Sequence, residues 1–250
     1  MSERDSDPSR LAPAAKRFMT TRWSLLLAAR GDDAKAAREA LAELCGAYWY
    51  PLYAFVRRKG HDAESAQDLV QGFLTRLIEN GEVAAIDRGK GRFRSFLMAA
   101  CSHYLANQAD YRNAKKRGGG RATISIDRLK AEGRYDGEPA HELTAESLFE
   151  RQWALTLLDR VLDRLETEMS VTGKARLFSA LRPALLGSAE RVPYLKIAKT
   201  LGVSEEAARA SAKRLRRRYR ELLRQEVGRT LDDPAEVDSE IRSLFSILGG

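Results

Sequence analysis

Apolar positions recur along most of the chain at the three- and four-residue spacing of helices. After Asp62 they form an unbroken series, Ala66, Leu69, Val70, Phe73, Leu74, Leu77 and Ile78. That spacing places them on one helical face. Asp62 suits the N-cap and Asn80-Gly81 the stop. The same period predicts helices over 33–58, bent near Pro51 and carrying Tyr48, Trp49, Tyr50, Tyr53 and Phe55, and over 94–112, with Phe96, Leu97, Ala100, Tyr104 and Leu105 inward. It continues over 145–168 behind a Thr144 cap, then over 174–186, 194–201 and 205–227, and over 235–248 behind Asp233-Pro234. A shorter helix from Thr20 or Thr21 runs through Trp23, Leu26 and Leu27 to Gly31. Alternating β-branched residues occur only near 123–126, too short to found a sheet. The expected class is all-α.

Composition between the stripes predicts how these helices are grouped. Residues 1–19 are rich in Ser, Asp and Pro and are expected to be disordered. Residues 114–144 open on Lys115-Lys116-Arg117-Gly118-Gly119-Gly120 and stay rich in Gly, Asp, Glu and Pro, which suggests a flexible linker. Two helical domains are expected on either side of it, over 20–113 and 145–227, with a C-terminal extension helix in 228–250.

The hydrophobic fraction of 44% is enough for a packed core, and 31% charged residues argue against a membrane bundle. No apolar run approaches a bilayer span and residues 1–10 are polar, so a cytoplasmic chain without membrane insertion is expected. Cys45 and Cys101 read as buried, reduced thiols. The sharper reading, a Cys101/His103 metal site, finds no further ligand spacing at His61 or His141, so neither metal nor cofactor is expected. The net charge of +8 favours a polyanionic partner. Its location is more informative: Arg112, Lys115, Lys116, Arg117 and Arg121 have no acid between them, and a second cluster spans 209–224. The chain shows no carboxylate cluster and no phosphate-binding GxxxxGK[ST] loop, which disfavours an enzyme acting on nucleic acid.

The stretch 194–204, Tyr-Leu-Lys-Ile-Ala-Lys-Thr-Leu-Gly-Val-Ser, has helix-turn-helix spacing. Ile197, Ala198 and Leu201 face inward, Gly202 permits a sharp turn, Val203 plugs the angle and Ser204 caps the next helix. On that helix Ala208, Ala212, Leu215, Tyr219 and Leu222 share a stripe. At about 100° per residue the opposite face carries Glu206, Ala210, Lys213 and Arg217, flanked by Arg209 and Arg214. Small side chains near the helix start admit base edges, and the cations beyond suit phosphates. The plainer alternative is an amphipathic helix with a solvated basic face.

Two further segments carry a family resemblance. Tyr50-Pro-Leu-Tyr-Ala-Phe-Val-Arg-Arg58, followed by Asp62-Ala-Glu-Ser-Ala-Gln-Asp68-Leu-Val-Gln71-Gly-Phe73-Leu, resembles the σ2 domain of extracytoplasmic-function sigma factors. Arg92-Phe-Arg-Ser-Phe-Leu97 is similar to that domain's promoter-melting and −10-reading part, and Ile197-Ala-Lys-Thr-Leu-Gly-Val-Ser204 to the −35-reading σ4 domain. The resemblance spans roughly residues 23–224 in family order. It implies a sigma factor, with core RNA polymerase and promoter DNA as partners and an anti-sigma protein or other regulator as a further one. It implies no catalytic activity. Gln67, Asp68, Gln71 and Thr75, the polar face left by the apolar stripe, would dock on the polymerase clamp helices, an ordinary solvated helix face being the alternative. Arg88, Lys90, Arg92, Phe93 and Arg94 would serve promoter melting, with plain core packing the alternative for Phe93, and His103, Asn107 and Arg112 base and backbone contacts. Ser204, Glu206, Arg209, Ala210, Lys213, Arg214 and Arg217 would read the −35 element. The chain departs from the pattern at Phe96, usually Trp, at His103, often Asn, and at Gln67 and Gly72, often carboxylates. The promoter sequences therefore do not carry over, and the tail from Glu226 lies beyond the pattern. A stand-alone helix-turn-helix regulator is the competing reading.

Overall fold

The computed structural model describes residues 34–79, 92–114, 128–136, 143–186, 193–231 and 233–249. Every regular element among these residues is helical and none is a strand. In chain order they are α1 (Ala34–Arg58), α2 (Ala63–Glu79), α3 (Phe93–Ala114), α4 (Arg128–Asp136), α5 (Ala145–Val171), α6 (Ala175–Leu186), α7 (Tyr194–Leu201), α8 (Glu205–Gly228), a 3₁₀ turn (Pro234–Glu236) and α9 (Val237–Gly249). The N-terminal disorder and the short helix expected over 20–31 lie outside the described residues.

Side-chain caps set several of these boundaries. Asp62 accepts the Ser65 N–H at 2.8 Å and the Ser65 hydroxyl at 2.9 Å, bonds that hold its carboxyl below the usual range. Thr144 and Ser204 each accept the N–H three residues on, at 3.1 Å. Asp233 caps the 3₁₀ turn through Ala235 at 2.8 Å. Each satisfies an N–H that the helix start leaves orphaned.

Leu52, Tyr53, Ala54, Phe55 and Val56 are all 0% exposed. Five consecutive helical residues point in every direction, so α1 must be covered all round. α5 lies along it and supplies its most extensive packing, and α2 packs beside it. Phe55 meets Phe149 of α5 edge to face, with centroids 6.3 Å apart, and Trp49 stacks on Tyr53 at 5.1 Å. One continuous core runs from Ala40 to Leu244. Residues from both sides of the expected linker thus share an interior, with α5 as well as α2 covering the aromatic run of α1.

The linker also differs from expectation. Residues 128–136 form α4, which is pinned to α1. Glu132 accepts from Arg57 Nε at 2.9 Å and Nη2 at 3.0 Å and takes a further hydrogen bond from the Tyr53 hydroxyl. Burial, with the Glu132 carboxylate assisting, raises the Tyr53 phenol well above its ordinary value. Arg134 lies over the Tyr50 ring at 3.9 Å and donates to buried Gln152 of α5 at 3.0 Å. These partners lie far away in sequence, so local composition carries no trace of them.

The tail helix follows expectation more closely. α9 packs on α5 and α8. Val237 and Leu244 are buried, Ile241 and Leu248 are packed against the core, and Phe245 of the same stripe remains exposed.

Two predictions follow from this core. Phe55→Ala and Phe149→Ala should each lower the unfolding free energy by about 3–5 kcal/mol. Because the rings share a contact, the double variant should lose less than the sum. Urea denaturation followed by circular dichroism measures both, and a single cooperative transition is expected. Glu132→Gln should speed amide exchange across 128–136 while exchange in α5 stays slow, as read by mass spectrometry.

Candidate nucleic-acid interface

The helix-turn-helix is built by α7 and α8. Gly202 ends α7 in the left-handed region, at φ 67° and ψ 33°, and the Val203 N–H returns to the Ala198 carbonyl at 3.1 Å. The two helices pack through Tyr194, Ile197 and Ala198 against Ala208, Ala212 and Leu215, all buried. Leu222 is also buried, whereas Leu201 and Tyr219 are half-buried against the core. Val203 does not plug the angle as expected. It stays 46% exposed just after a Schellman-type turn, and Leu195 at the start of α7 is exposed as well, while Ala208 and Ala212 are buried.

The arginines of α8 divide by direction. Arg216 donates to the Ala184 carbonyl at 3.0 Å and to the Tyr194 hydroxyl at 3.1 Å, tying α8 to α6 and α7. Arg218 grips Glu168 of α5 with two bonds of 2.8 and 2.9 Å and holds that carboxyl below its usual range. Arg224 reaches Asp238 of α9. Lys213, Arg214, Arg217 and Arg220 are exposed and, with the flank of Arg216, lie along one side of α8. Arg217 touches only its own helix in this set, at 3.8 Å from Glu221. Sequence reasoning singled out neither Arg216 nor Arg220. The signal for Arg220 was present, since it continues the 213–217 face by one turn.

At the start of α8, Ser204 is committed to its cap, Glu206 is exposed and Ala210 half-buried. Arg209 is held by Glu205 at 2.6 and 3.0 Å and lies 4.6 Å over the Tyr194 ring. Arg214 is steadied by the Ser211 hydroxyl at 3.0 Å. The cations near the turn are therefore oriented and those beyond it are freer, an arrangement suited to a polyanion whose charges repeat along a groove.

In the first half, Asp68 is exposed on α2 and Gln67, Gln71 and Thr75 are half-buried beside it. Gly72 has a steric reason: a Cβ there would stand 2.5 Å from the Tyr104 hydroxyl of α3. His103 and Asn107 are exposed one turn apart on α3, 3.4 Å from each other. Arg112 belongs to the last turns of α3, with its side chain outside the described residues, as are Arg88 and Lys90.

The expectation for Phe93 and Arg94 is corrected. Phe93 is 0% exposed, against Tyr48 at 5.3 Å and Phe96 at 5.9 Å. Arg94 is 2% exposed, 4.4 Å over the Trp153 ring and ion-paired to Glu240 of α9. Arg92 is half-buried and pairs with the same Glu240 at 2.8 Å. Phe93 turns inward because it opens α3 on the core side, and Arg94 follows because α9 brings an acid to meet it. Cys45 and Cys101 are free thiols, Cys101 buried and pushed up to about 12 by desolvation. No metal-ligating cluster occurs among the described residues.

Gly202→Ala should cost roughly 1–2 kcal/mol, wholly from backbone strain, since a Cβ at this position meets nothing within 4 Å. Thermal unfolding measures the loss, and Gly202→Asn should recover part of it.

No family model, curated protein or solved structure matches the chain.

Proposed function

We propose that this chain is a cytoplasmic sigma factor of the extracytoplasmic-function type, binding core RNA polymerase and directing it to promoters. The observation that carries the reading is the outward basic face of α8, on a helix capped by Ser204 and packed on α7 in helix-turn-helix fashion. Support from the first half is the exposed Asp68 with Gln67, Gln71 and Thr75 on α2, matching the resemblance noted above. On this reading residues 20–113 and 145–227 act as −10- and −35-reading units, and the chain performs no catalytic step and uses no cofactor. Phe93 and Arg94 are not counted among its DNA contacts in the conformation described here.

Two measurements test it. Each phosphate neutralised contributes roughly 0.9 to the slope of log affinity against log salt. The variant Lys213→Ala/Arg217→Ala should therefore flatten that slope by somewhat less than about 1.8. Unchanged affinity and slope would make the basic face merely solvated. Asp68→Lys should abolish co-purification with core polymerase and run-off transcription while leaving the helical circular dichroism intact. DNA binding by a parent chain that never associates with core polymerase would instead identify a stand-alone helix-turn-helix regulator.

A further inference from the structure

Glu240 is a charged residue of α9 that is 1% exposed, and it faces the first turn of α3. Two cations converge on it, Arg94, itself 2% exposed, and Arg92 at 2.8 Å. Glu150 of α5 stands 3.6 Å from Arg94, and Ser243 of α9 accepts from Arg94 Nη2 at 3.5 Å. The Phe93 N–H donates to the Thr230 carbonyl at 3.4 Å, joining the start of α3 to the segment that leads into α9. The start of α3 is thus an anion site already filled by the chain's own carboxylate. A guanidinium that pairs with a carboxylate pairs equally well with a phosphate.

We propose that α9 is an autoinhibitory latch: Glu240 occupies the Arg92/Arg94 anion site, and DNA phosphate displaces it when the chain engages its target. This rests on the nucleic-acid reading given above. Three features favour a latch over a purely structural strut. Charge pairing in a buried setting is a poor way to gain stability, because the cost of removing both groups from water offsets most of the attraction. Both partners are also groups that solvent or phosphate can satisfy after release. Finally, α9 is otherwise held by a short apolar set centred on Val237 and Leu244 and by the exposed Arg224–Asp238 pair, a less extensive contact than that of α1 with α5. Release of α9 uncovers Arg92 and Arg94 without parting Phe55 from Phe149.

Hydrogen–deuterium exchange on the full chain, with and without a duplex DNA fragment, tests the latch alongside DNA affinity. In the parent chain, DNA should speed exchange in peptides covering 93–101 and 237–249 and leave 52–56 protected. Glu240→Gln should show fast exchange there without DNA and bind the duplex more tightly, within the roughly 5- to 150-fold range of ordinary coupling between sites. Arg94→Met/Glu240→Leu replaces the ion pair by apolar contact that keeps the latch closed. It should stay protected even when DNA is bound. Glu64→Gln, at an exposed carboxylate in the first turn of α2, should move neither readout. DNA binding by the parent with unchanged exchange at 93–101 overturns the latch and leaves the nucleic-acid reading standing. Absence of DNA binding by the parent and by Glu240→Gln alike removes both. If Glu240→Gln unfolds the whole chain, the comparison of the parent with and without DNA decides alone.

Discussion

The middle of α1 has no face left for water, and that constraint organises the rest of the molecule. Tyr53 and Phe55 lie on different sides of the helix, yet both are fully buried. An ordinary surface helix buries one stripe, whereas a helix buried all round needs neighbours on every side. α5 answers on one side with Phe149, α2 packs on another, and α4 reaches over the end with Glu132 and Tyr135. An element from the middle of the chain and one from its second half are thereby drawn onto a helix of the first. The polar fringe follows the same logic. Arg57 emerges from the aromatic run carrying a charge that its surroundings cannot hydrate fully, and Glu132, His61 and Tyr135 together satisfy it.

A second organising feature is the use of arginine on α8. An all-cationic stretch of a helix must solve two problems, since residues on its inner flank need partners while those outside repel one another. The inner flank is solved case by case. Arg216 takes a carbonyl and a phenol and Arg218 a carboxylate of α5, while the exposed Arg224 further along pairs with a carboxylate of α9. The planar guanidinium with its five donors suits this work, and a lysine would satisfy fewer acceptors at each place. What remains outside, Lys213, Arg214, Arg217 and Arg220, presents positive potential to solvent, with Arg214 and Arg217 touching only side chains of α8 itself. The stripe of Ala208, Ala212 and Leu215 fixes which cations are inner and which are outer. The same packing that builds the helix-turn-helix therefore aims its charge.

This division explains what was legible in the sequence. Helix positions, four side-chain caps and the apolar stripes are set by neighbours three or four residues away, so periodicity and capping chemistry reveal them. The outer face of α8 was readable for the same reason. What failed was long-range. Phe93 and Arg94 sit in a segment whose composition, Arg-Phe-Arg, fits an exposed basic loop as well as a helix start. The burial of Arg94 goes with its pairing to Glu240, and nothing near residue 94 announces an acid that far along the chain. The linker failed likewise: Glu132 looks like any other acid in a Gly- and Glu-rich stretch until Arg57 and Tyr53 are placed beside it. Val203 failed through geometry, because the direction of a side chain at a left-handed corner depends on the helix that follows it.

The contacts joining the two halves differ in what their separation costs. Where α1 meets α5 they are apolar and aromatic, and parting them exposes several large side chains, each worth about 1.5–3 kcal/mol of burial. Where the end of α8 meets α1 and α5 they are ionic. Arg229 pairs with Glu43 at 3.2 Å and with Glu226 at 3.4 Å, and Arg160 stands 3.7 Å from both carboxylates. The Arg229–Glu43 and Arg160–Glu43 pairs are partly exposed and contribute on the order of 0–1 kcal/mol each. Glu226 is buried, so that desolvation offsets much of its attraction to the same arginines. Where α9 meets α3 the contact is also ionic, though buried, and its net contribution is small because desolvation opposes attraction. A disturbance that reaches all three seams therefore parts them in order, with the charged edges first and the aromatic centre last. The charged edges also contain the groups whose partners can be exchanged, Arg92 and Arg94 among them. The centre has no such alternative, since water offers Phe55 and Phe149 nothing in return. That asymmetry places the contacts whose partners are exchangeable at the ionic rim, and the rim holds the cations of the first half that meet α9.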